Sequence, residues 1–114
     1  MNWLEHEYLI PVIVGNGKSE LALADKIKRK TGIRVNIFAE RFSFFQRLKY
    51  SCHIVTPMKN EFLLNSLISF ADALDSFDFP VIVSNIRELS DLLGDGLDRV
   101  ECSYIIGDPK DLDF

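Results

Sequence analysis

A glycine turn at positions 15–17 holds the residues of this sequence that are best suited to bind a small anion. Asn16 lies between the two glycines, Lys18 follows them, and the turn separates an apolar run from an amphipathic segment. The start of a helix exposes backbone N–H groups that attract a carboxylate or a phosphate. The turn therefore predicts an anion site, while the plainer interpretation is that the glycines only reverse the chain.

The turn completes neither of two common nucleotide-binding motifs. Gly17–Ser19 matches the end of the phosphate loop GxxxxGK[ST], but Val12 stands where its first glycine belongs. Gly15 and Gly17 begin the dinucleotide pattern GxGxxG, but Glu20 occupies the third glycine position. A carboxylate there is bulky where helix and strand must approach, and it is negative where a pyrophosphate would bind. We therefore expect no tightly bound NAD or FAD.

Further polar residues follow two other predicted strands. Glu40 falls at the end of the second strand, and Ser84 and Asn85 come directly after the fourth. The carboxyl ends of parallel strands meet at one edge of a sheet, where ligands bind. The residues predicted to bind a substrate are Gly15, Asn16, Gly17, Lys18, Glu40, Ser84 and Asn85.

The histidines and cysteines predict neither a catalytic nor a metal centre. The sequence contains only His6 and His53, and Cys52 and Cys102 are far apart without a CxxC spacing. A structural zinc site needs four nitrogen or sulfur ligands close together, so a zinc site is not expected. Each cysteine falls inside an apparent strand, which predicts two buried, reduced thiols; a disulfide or a redox role is the alternative.

Apolar runs alternate with amphipathic segments along the whole chain. Short runs rich in β-branched residues predict buried strands, and segments with helical spacing predict helices. The predicted strands cover about residues 8–14, 33–38, 52–55, 79–83 and 102–106, the last as a fifth strand or an extended edge. Because proline cannot donate to a sheet, Pro11 predicts that the first strand begins at Val12 or starts with a bulge or a free edge.

This order predicts one α/β domain over residues 1–114. The expected fold is three-layered and Rossmann-like, with a mostly parallel sheet of four or five strands and helices on both faces. Residues 1–7 and 107–114 are predicted to be loose ends. The predicted helix caps are Asn16 or Ser19, then Asn60, then Asn85 with Glu88 in a capping box, and the predicted helix stops are Gly32 and Gly94.

The segment 41–50, RFSFFQRLKY, mixes aromatic rings with cations. One interpretation is a ligand or nucleic-acid face on which rings stack and cations neutralise phosphates. A second is a short helix or loop whose rings pack on the sheet edge while its basic side chains extend into water. A third is a surface that another domain or subunit buries.

The charge balance and the amino terminus narrow the class of protein. Thirteen lysines and arginines stand against 17 aspartates and glutamates, a formal charge of -4, which disfavours nucleic acid as the main partner. The first residues, MNWLEHEY, carry acids where a signal peptide carries bases, and no apolar run approaches the length of a bilayer. We expect a cytoplasmic protein that binds neither nucleic acid nor membrane.

The order of motifs resembles the amino-terminal domain of ATP-grasp ligases, in particular the carboxylate-amine ligase branch. The resemblance rests on the strand that ends in a glycine turn, on the helix that ends at Gly32, on the Tyr50–Ser51 step, and on FPVIVSNIRELSDLL at 79–93. It spans Leu9 to about Ile106 and implies a domain that helps to hold the acceptor substrate, a small carboxylate or amino acid.

The resemblance also implies what this chain lacks. ATP and magnesium are handled by other lobes of such ligases, and this sequence shows neither the ATP-grasp lysine nor a metal-binding acidic pair. We therefore expect either a domain of a longer ligase or a short relative that kept only the fold, with no catalysis by the chain alone. The expected partners are ATP-grasp lobes, in the same chain or in another subunit, reached through Phe42, Phe44 and Phe45. The alternative is a stand-alone binding or interaction module.

Overall fold

Five parallel strands form one sheet, which confirms the predicted α/β Rossmann-like fold. The computed structural model describes residues 9–111. The strands lie in the order β3-β2-β1-β4-β5. Their bounds are β1 Leu9–Val14, β2 Asn36–Ala39, β3 Ser51–Ile54, β4 Phe79–Val83 and β5 Ile105–Gly107. The helices are α1 Lys18–Thr31, α2 Phe44–Lys49, α3 Asn60–Asp72, α4 Ile86–Leu93 and α5 Leu97–Ser103.

Helices cover both faces of the sheet and divide the core in two. On one face, Ala24 and Ile27 of α1 pack with Phe42 and Tyr50, which flank α2. On the other face, α3, α4 and α5 pack against alternate residues of the same strands. Buried side chains on this second face include Val12, Phe38, Leu63, Leu67, Ile82, Leu89 and Val100. The sheet is therefore the middle layer between an α1–α2 layer and an α3–α5 layer.

Strand β1 is the central strand, although it contains a proline. It pairs with β4 from Leu9 onward, but its pairing with β2 begins only at Val12, opposite Asn36. The side-chain amide of Asn36 donates to the carbonyl oxygen of Pro11 at 3.5 Å. The expected free edge before Val12 is thus present on one side of β1, and Pro11 pairs in register with Val81 on the other. The predicted first residue of this strand, Tyr8, lies outside the described residues.

Two of the three predicted helix caps are wrong, and the third is confirmed. Helix α1 begins after Gly17 without a side-chain cap, so neither Asn16 nor Ser19 fills that role. Helix α3 begins at Asn60 with Lys59 in the cap position, because Asn60 has a positive φ of 49° and lies inside the first turn. Asn85 does cap α4, since its Oδ1 accepts from the Arg87 N–H at 2.9 Å, but the capping box predicted with Glu88 does not form.

The end of the chain differs from the prediction. The predicted fifth strand began at Cys102, but residues Leu97–Ser103 form α5, and β5 is the shorter Ile105–Gly107. Cys102 is consequently exposed on a helix rather than buried, and Cys52 is half-buried; both thiols are free. Residues 107–111 are not loose, because Gly107 pairs with Val83 and Pro109–Asp111 form a 3-10 turn. Residues 1–7 and 112–114 lie outside the described part of the chain.

Candidate ligand clefts at the carboxyl edge of the sheet

A cleft of about 460 Å³ opens between the carboxyl ends of β1 and β4. On one side of this cleft the sheet continues from β1 to β2 and β3, and on the other side it continues from β4 to β5. The strand order therefore reverses between β1 and β4. Ligands of open α/β sheets bind at such a point. We call it the switch cleft. Its lining is Ile13, Val14, Ser19, Glu20, Leu23, Val83, Ser84, Asn85, Glu88, Asp108, Pro109 and Lys110.

A second cleft of about 490 Å³ adjoins the first, between the ends of β1 and β2. We call it the turn cleft, because the glycine turn forms one wall. Glu20 and Val14 line both clefts. The other residues of the turn cleft are Gly15, Asn16, Ala39, Glu40, Arg41, Met58 and Leu92.

The fold gathers five of the seven predicted substrate-binding residues at these clefts. Gly15, Asn16 and Glu40 line the turn cleft, and Ser84 and Asn85 line the switch cleft. Gly17 and Lys18 are exposed and lie outside the lining of both clefts. The predicted set therefore falls into two neighbouring groups rather than one site.

Several of these polar groups already bind within the protein. The Asn16 amide donates to the Arg41 carbonyl oxygen at 2.6 Å and to Gln46 Oε1 at 3.2 Å. Glu40 Oε1 accepts from the Met58 N–H at 3.1 Å, and Asn85 caps α4. Asn16 thus links the end of β1 to the segment after β2, and Glu40 links the end of β2 to the segment after β3. Their geometry gives them a structural role at the cleft wall.

Glu20, which breaks the dinucleotide pattern, lies beside the glycine turn. Its carboxylate lies against the glycine turn: a Cβ on Gly17 would come within 2.9 Å of Oε2, and a Cβ on Gly15 within 3.2 Å of Oε1. Ser19 Oγ donates to the same carboxylate at 2.7 Å. A side-chain anion therefore lies in the first turn of α1, where a helix amino terminus favours negative charge. A phosphate would meet this carboxylate at the turn.

Three carboxylates surround the switch cleft, each from a different element. Glu20 comes from α1, Glu88 from α4 and Asp108 from the turn after β5, and Lys110 is the cation of the lining. Apolar side chains of β1, α1 and β4 form the rest of the wall: Ile13, Val14, Leu23 and Val83. Such a cleft attracts a small molecule with a positively charged group more than a small anion. The sequence pattern assigns Glu88 only to a helix cap and includes Asp108 only in the predicted loose end 107–114.

The described residues contain no cluster of metal-ligating side chains, and the carboxylate of Glu20 makes the glycine turn unfavourable for a phosphate. No group of three or more histidine, cysteine, aspartate or glutamate side chains in residues 9–111 is arranged to hold a metal ion. The carboxylate of Glu20 at the turn also opposes the phosphates of ATP.

His53 lies apart from both clefts, on the edge strand β3. Its ring stacks on Phe38 with centroids 4.5 Å apart and meets Phe70 edge-on at 5.2 Å. Nε2 is 3.0 Å from Asn36 Oδ1, so it carries the proton in the neutral ring. Burial among these rings lowers the pKa of His53 below its ordinary value. The surroundings favour a neutral, packed histidine.

The segment 41–50 combines two of its predicted interpretations. Phe42 and Tyr50 are buried in the core, so the prediction that Phe42 contacts a partner is wrong. Phe44, Phe45 and Leu48 lie on α2 and are 70%, 74% and 60% exposed. The apolar surface of α2 is therefore uncovered in the single chain.

The fold and the clefts define the class: an α/β domain with ligand-sized clefts at the carboxyl edge of a parallel sheet. Comparisons with protein-family models, with curated proteins and with solved structures found no match. Among residues 9–111, no helix has the length and apolar character needed to cross a membrane.

Proposed function

We propose that this chain is the substrate-side domain of an ATP-dependent carboxylate-amine ligase and that it holds the amine-bearing substrate in the switch cleft. The observation that carries the proposal is the placement of Glu20, Glu88 and Asp108 around one cleft at the reversal point of the sheet. The chain itself performs no chemistry in this proposal. It positions a substrate for domains that bind ATP and magnesium.

The cleft suits an amino acid or another small amine in size and charge. A volume of about 460 Å³ lies within the range of small-molecule sites. The carboxylates attract an ammonium group, Lys110 can pair with a ligand carboxylate, and the apolar wall accepts a side chain. Of the two expected ligands, a small carboxylate and an amino acid, this arrangement favours the amino acid.

The same proposal includes the family and the location. The resemblance of the strand order and of the turn to ATP-grasp carboxylate-amine ligases supplies the reaction class, with ATP-grasp lobes as partners in the same chain or in another subunit. A cytoplasmic location fits the two free thiols, because Cys52 and Cys102 would remain reduced there.

Ligand titration of the chain tests the binding step. Free amino acids should perturb the amide signals of the switch cleft in heteronuclear NMR, whereas their N-acetyl derivatives, which lack the cation, should not. The variant Glu20→Gln with Glu88→Gln should bind about tenfold more weakly, since each charged hydrogen bond is worth about 1.5–3 kcal/mol before solvent screening. Asp72→Asn with Asp75→Asn is the matched control, because both carboxylates are exposed and lie outside the lining of both clefts.

Two outcomes would contradict the proposal at different steps. Equal binding of free and N-acetylated amino acids would exclude the carboxylates as the basis of recognition. Binding without amino-acid-dependent ATP hydrolysis by the complete gene product and its partners would retain the cleft as a ligand site and exclude the ligase.

A stand-alone interaction module is the second candidate. The exposed side chains Phe44, Phe45 and Leu48 on α2 favour it, because apolar groups clustered on one short helix mark a contact surface. The double substitution Phe44→Ser with Phe45→Ser, which removes both exposed rings, tests this candidate.

A further inference from the structure

The net charge of the chain is only -4, but its basic and acidic residues lie in different parts of the sequence. Residues 9–59 hold ten lysines and arginines against three aspartates and glutamates, whereas residues 60–111 hold three against eleven. The first segment contributes α1 and α2, and the second contributes α3, α4 and α5. Because these two sets of helices cover opposite faces of the sheet, one face is basic and the other acidic.

Contacts between α1 and α2 gather the cations of the basic face. An open cleft of about 500 Å³ on this face is lined by Asp25, Lys28, Arg29 and Lys49, together with Ala22. Lys49 Nζ lies 3.1 Å from Asp25 Oδ1, which joins the two helices. Arg34 donates to the carbonyl oxygens of Arg47 and Tyr50, so it lies beside the end of α2. We define the basic patch as Lys28, Arg29, Arg34, Arg47 and Lys49.

Packing of α3 against the α4–α5 turn gathers the acids of the opposite face. A Cβ on Gly96 would come within 3.0 Å of Leu64 Cδ2, and a Cβ on Gly94 within 3.9 Å of Asn60 Oδ1. The Gly94–Gly96 segment therefore packs on the first turns of α3. This packing places Asp95 close to the start of that helix. We define the acidic patch as Glu61, Asp91, Asp95 and Asp98, all of which are exposed.

We propose that copies of this chain associate head to tail, with the basic patch of one copy on the acidic patch of the next. The basic patch holds five cations and the acidic patch four carboxylates, and the helices that carry them cover opposite faces of the sheet. An exposed phenylalanine adjoins each patch: Phe62 follows Glu61 in α3, and Phe45 lies four residues, about one turn of α2, before Lys49. A contact between two different surfaces of the same chain does not close on itself, so association is open-ended.

A second copy of the chain is favoured over other partners of the basic patch, because every copy carries one acidic patch for each basic patch. A nucleic acid bound to the basic patch would have its phosphates repelled by an acidic excess on the same small molecule. The acidic patch would also remain without a partner. Stacked copies use both patches, and neither patch overlaps the lining of the switch cleft. The inference is therefore independent of the proposed ligand.

Sedimentation velocity of the full chain at increasing concentration tests the association. At about 0.01 M ionic strength the Debye length is roughly 30 Å, and at about 1 M it is roughly 3 Å. We expect the weight-average mass to rise above 13.1 kDa with concentration at low salt and to return to 13.1 kDa at high salt. A mass of 13.1 kDa at every concentration in low salt would overturn the proposal.

Neutralising one patch at a time determines which surfaces meet. The variant Arg29→Gln with Arg47→Gln keeps only the acidic patch, and Asp91→Asn with Asp95→Asn keeps only the basic patch. Each should be monomeric alone, and an equimolar mixture should form a one-to-one complex that grows no further. Lys18→Gln with Lys59→Gln is the control, since it removes two positive charges outside the basic patch and should still associate.

Two results of this experiment would count against head-to-tail stacking. The first is association of both neutralised variants as strongly as the parent chain. The second is a parent chain that stays monomeric while its basic patch binds a labelled single-stranded oligonucleotide, which would assign that patch to nucleic acid instead.

Discussion

At the scale of single residues, Glu20 decides what the glycine turn can bind. A Gly-x-Gly turn before a helix ordinarily offers its backbone donors to an external anion. Here the helix supplies its own anion, which lies within contact distance of both glycines and faces both clefts. Glu20, whose carboxylate disfavours a dinucleotide at the turn, thus also makes the switch cleft more favourable for cations than for anions.

His53 gives a prediction of pH dependence at the same scale. Burial lowers the pKa of its folded form, so the unfolded chain takes up a proton at higher pH than the folded chain does. Its stabilising contribution is complete above the unfolded pKa of about 6.5 and is lost as the pH falls toward the folded pKa. The free energy of unfolding from urea titrations should therefore fall between about pH 7 and pH 5.

His53→Phe is the comparison for that measurement. Phenylalanine keeps a ring between Phe38 and Phe70 but cannot be protonated, so the variant should lose stability less steeply over the same pH range. His6 is present in both proteins and does not affect the difference. An unchanged pH slope in the variant would show that His53 is not the group responsible.

At the scale of elements, α2 has a capping box at its start. Ser43 Oγ accepts from the Gln46 N–H at 3.2 Å, and Gln46 Oε1 accepts from the Ser43 N–H at 3.1 Å. The same Gln46 oxygen accepts from Asn16, so the cap also joins α2 to the glycine turn. A helix of six residues has little stability of its own, and these bonds hold it in place.

Ser43→Ala should destabilise the protein by about 1 kcal/mol, because it leaves an N–H of the first turn without its acceptor. Urea unfolding measures the change, and Ser43→Thr should restore most of it since threonine also caps helices. If Ser43→Ala changed the free energy of unfolding by no more than Ser76→Ala, a substitution at an exposed loop serine, the box would not stabilise α2.

Most elements follow from the sequence, and most of their ends do not. The strands are recognisable because each is a short run rich in β-branched residues between turn residues. The end of α1 is also predicted correctly, since Gly32 has the left-handed conformation with φ of 74°. The caps predicted at Asn16 and Asn60 are wrong, because a polar side chain near a helix start has several possible hydrogen-bond partners. Asn16 bonds to Arg41 and Gln46, which are distant in sequence.

Cys102 shows why the last strand was misplaced. The run from Cys102 to Ile106 has strand-forming residues, but Val100 and Tyr104 are buried on the α3–α5 layer. Packing on that layer favours a helix up to Ser103, which leaves only three residues for β5. Tertiary contacts outweigh local propensity in so short a segment.

At the scale of the whole molecule, the order of elements predicts the topology, but the charges around the switch cleft could not be predicted. Right-handed crossovers place the strand ends at one edge, which gathers Gly15, Glu40 and Ser84 there as expected. Glu88 and Asp108 enter the cleft through the position of α4 and of the turn after β5. Those positions depend on packing distances that a linear pattern does not contain.

The exposed rings of α2 give a prediction at this scale. Phe44→Ser with Phe45→Ser should leave the free energy of unfolding within about 0.5 kcal/mol, because both rings already lie in water. Phe42→Ser should cost about 3–5 kcal/mol, since Phe42 is part of the core. Urea unfolding of both variants separates surface from core.

The same double variant tests the interaction module. Self-association or capture of a partner should weaken in Phe44→Ser with Phe45→Ser, whose fold is intact by the unfolding measurement. Unchanged association in a folded double variant would remove α2 as a contact surface.

The position of β1 between β2 and β4 has a consequence for synthesis on the ribosome. Leu9 pairs with Phe79, so the growing chain completes β1, β2 and β3 long before the strand that closes the open side of β1 has been made. During that interval an apolar strand edge is available to other nascent chains, which is a hazard for aggregation. The early part of the chain is also the strongly basic part, so neighbouring nascent chains repel one another until the acidic remainder arrives.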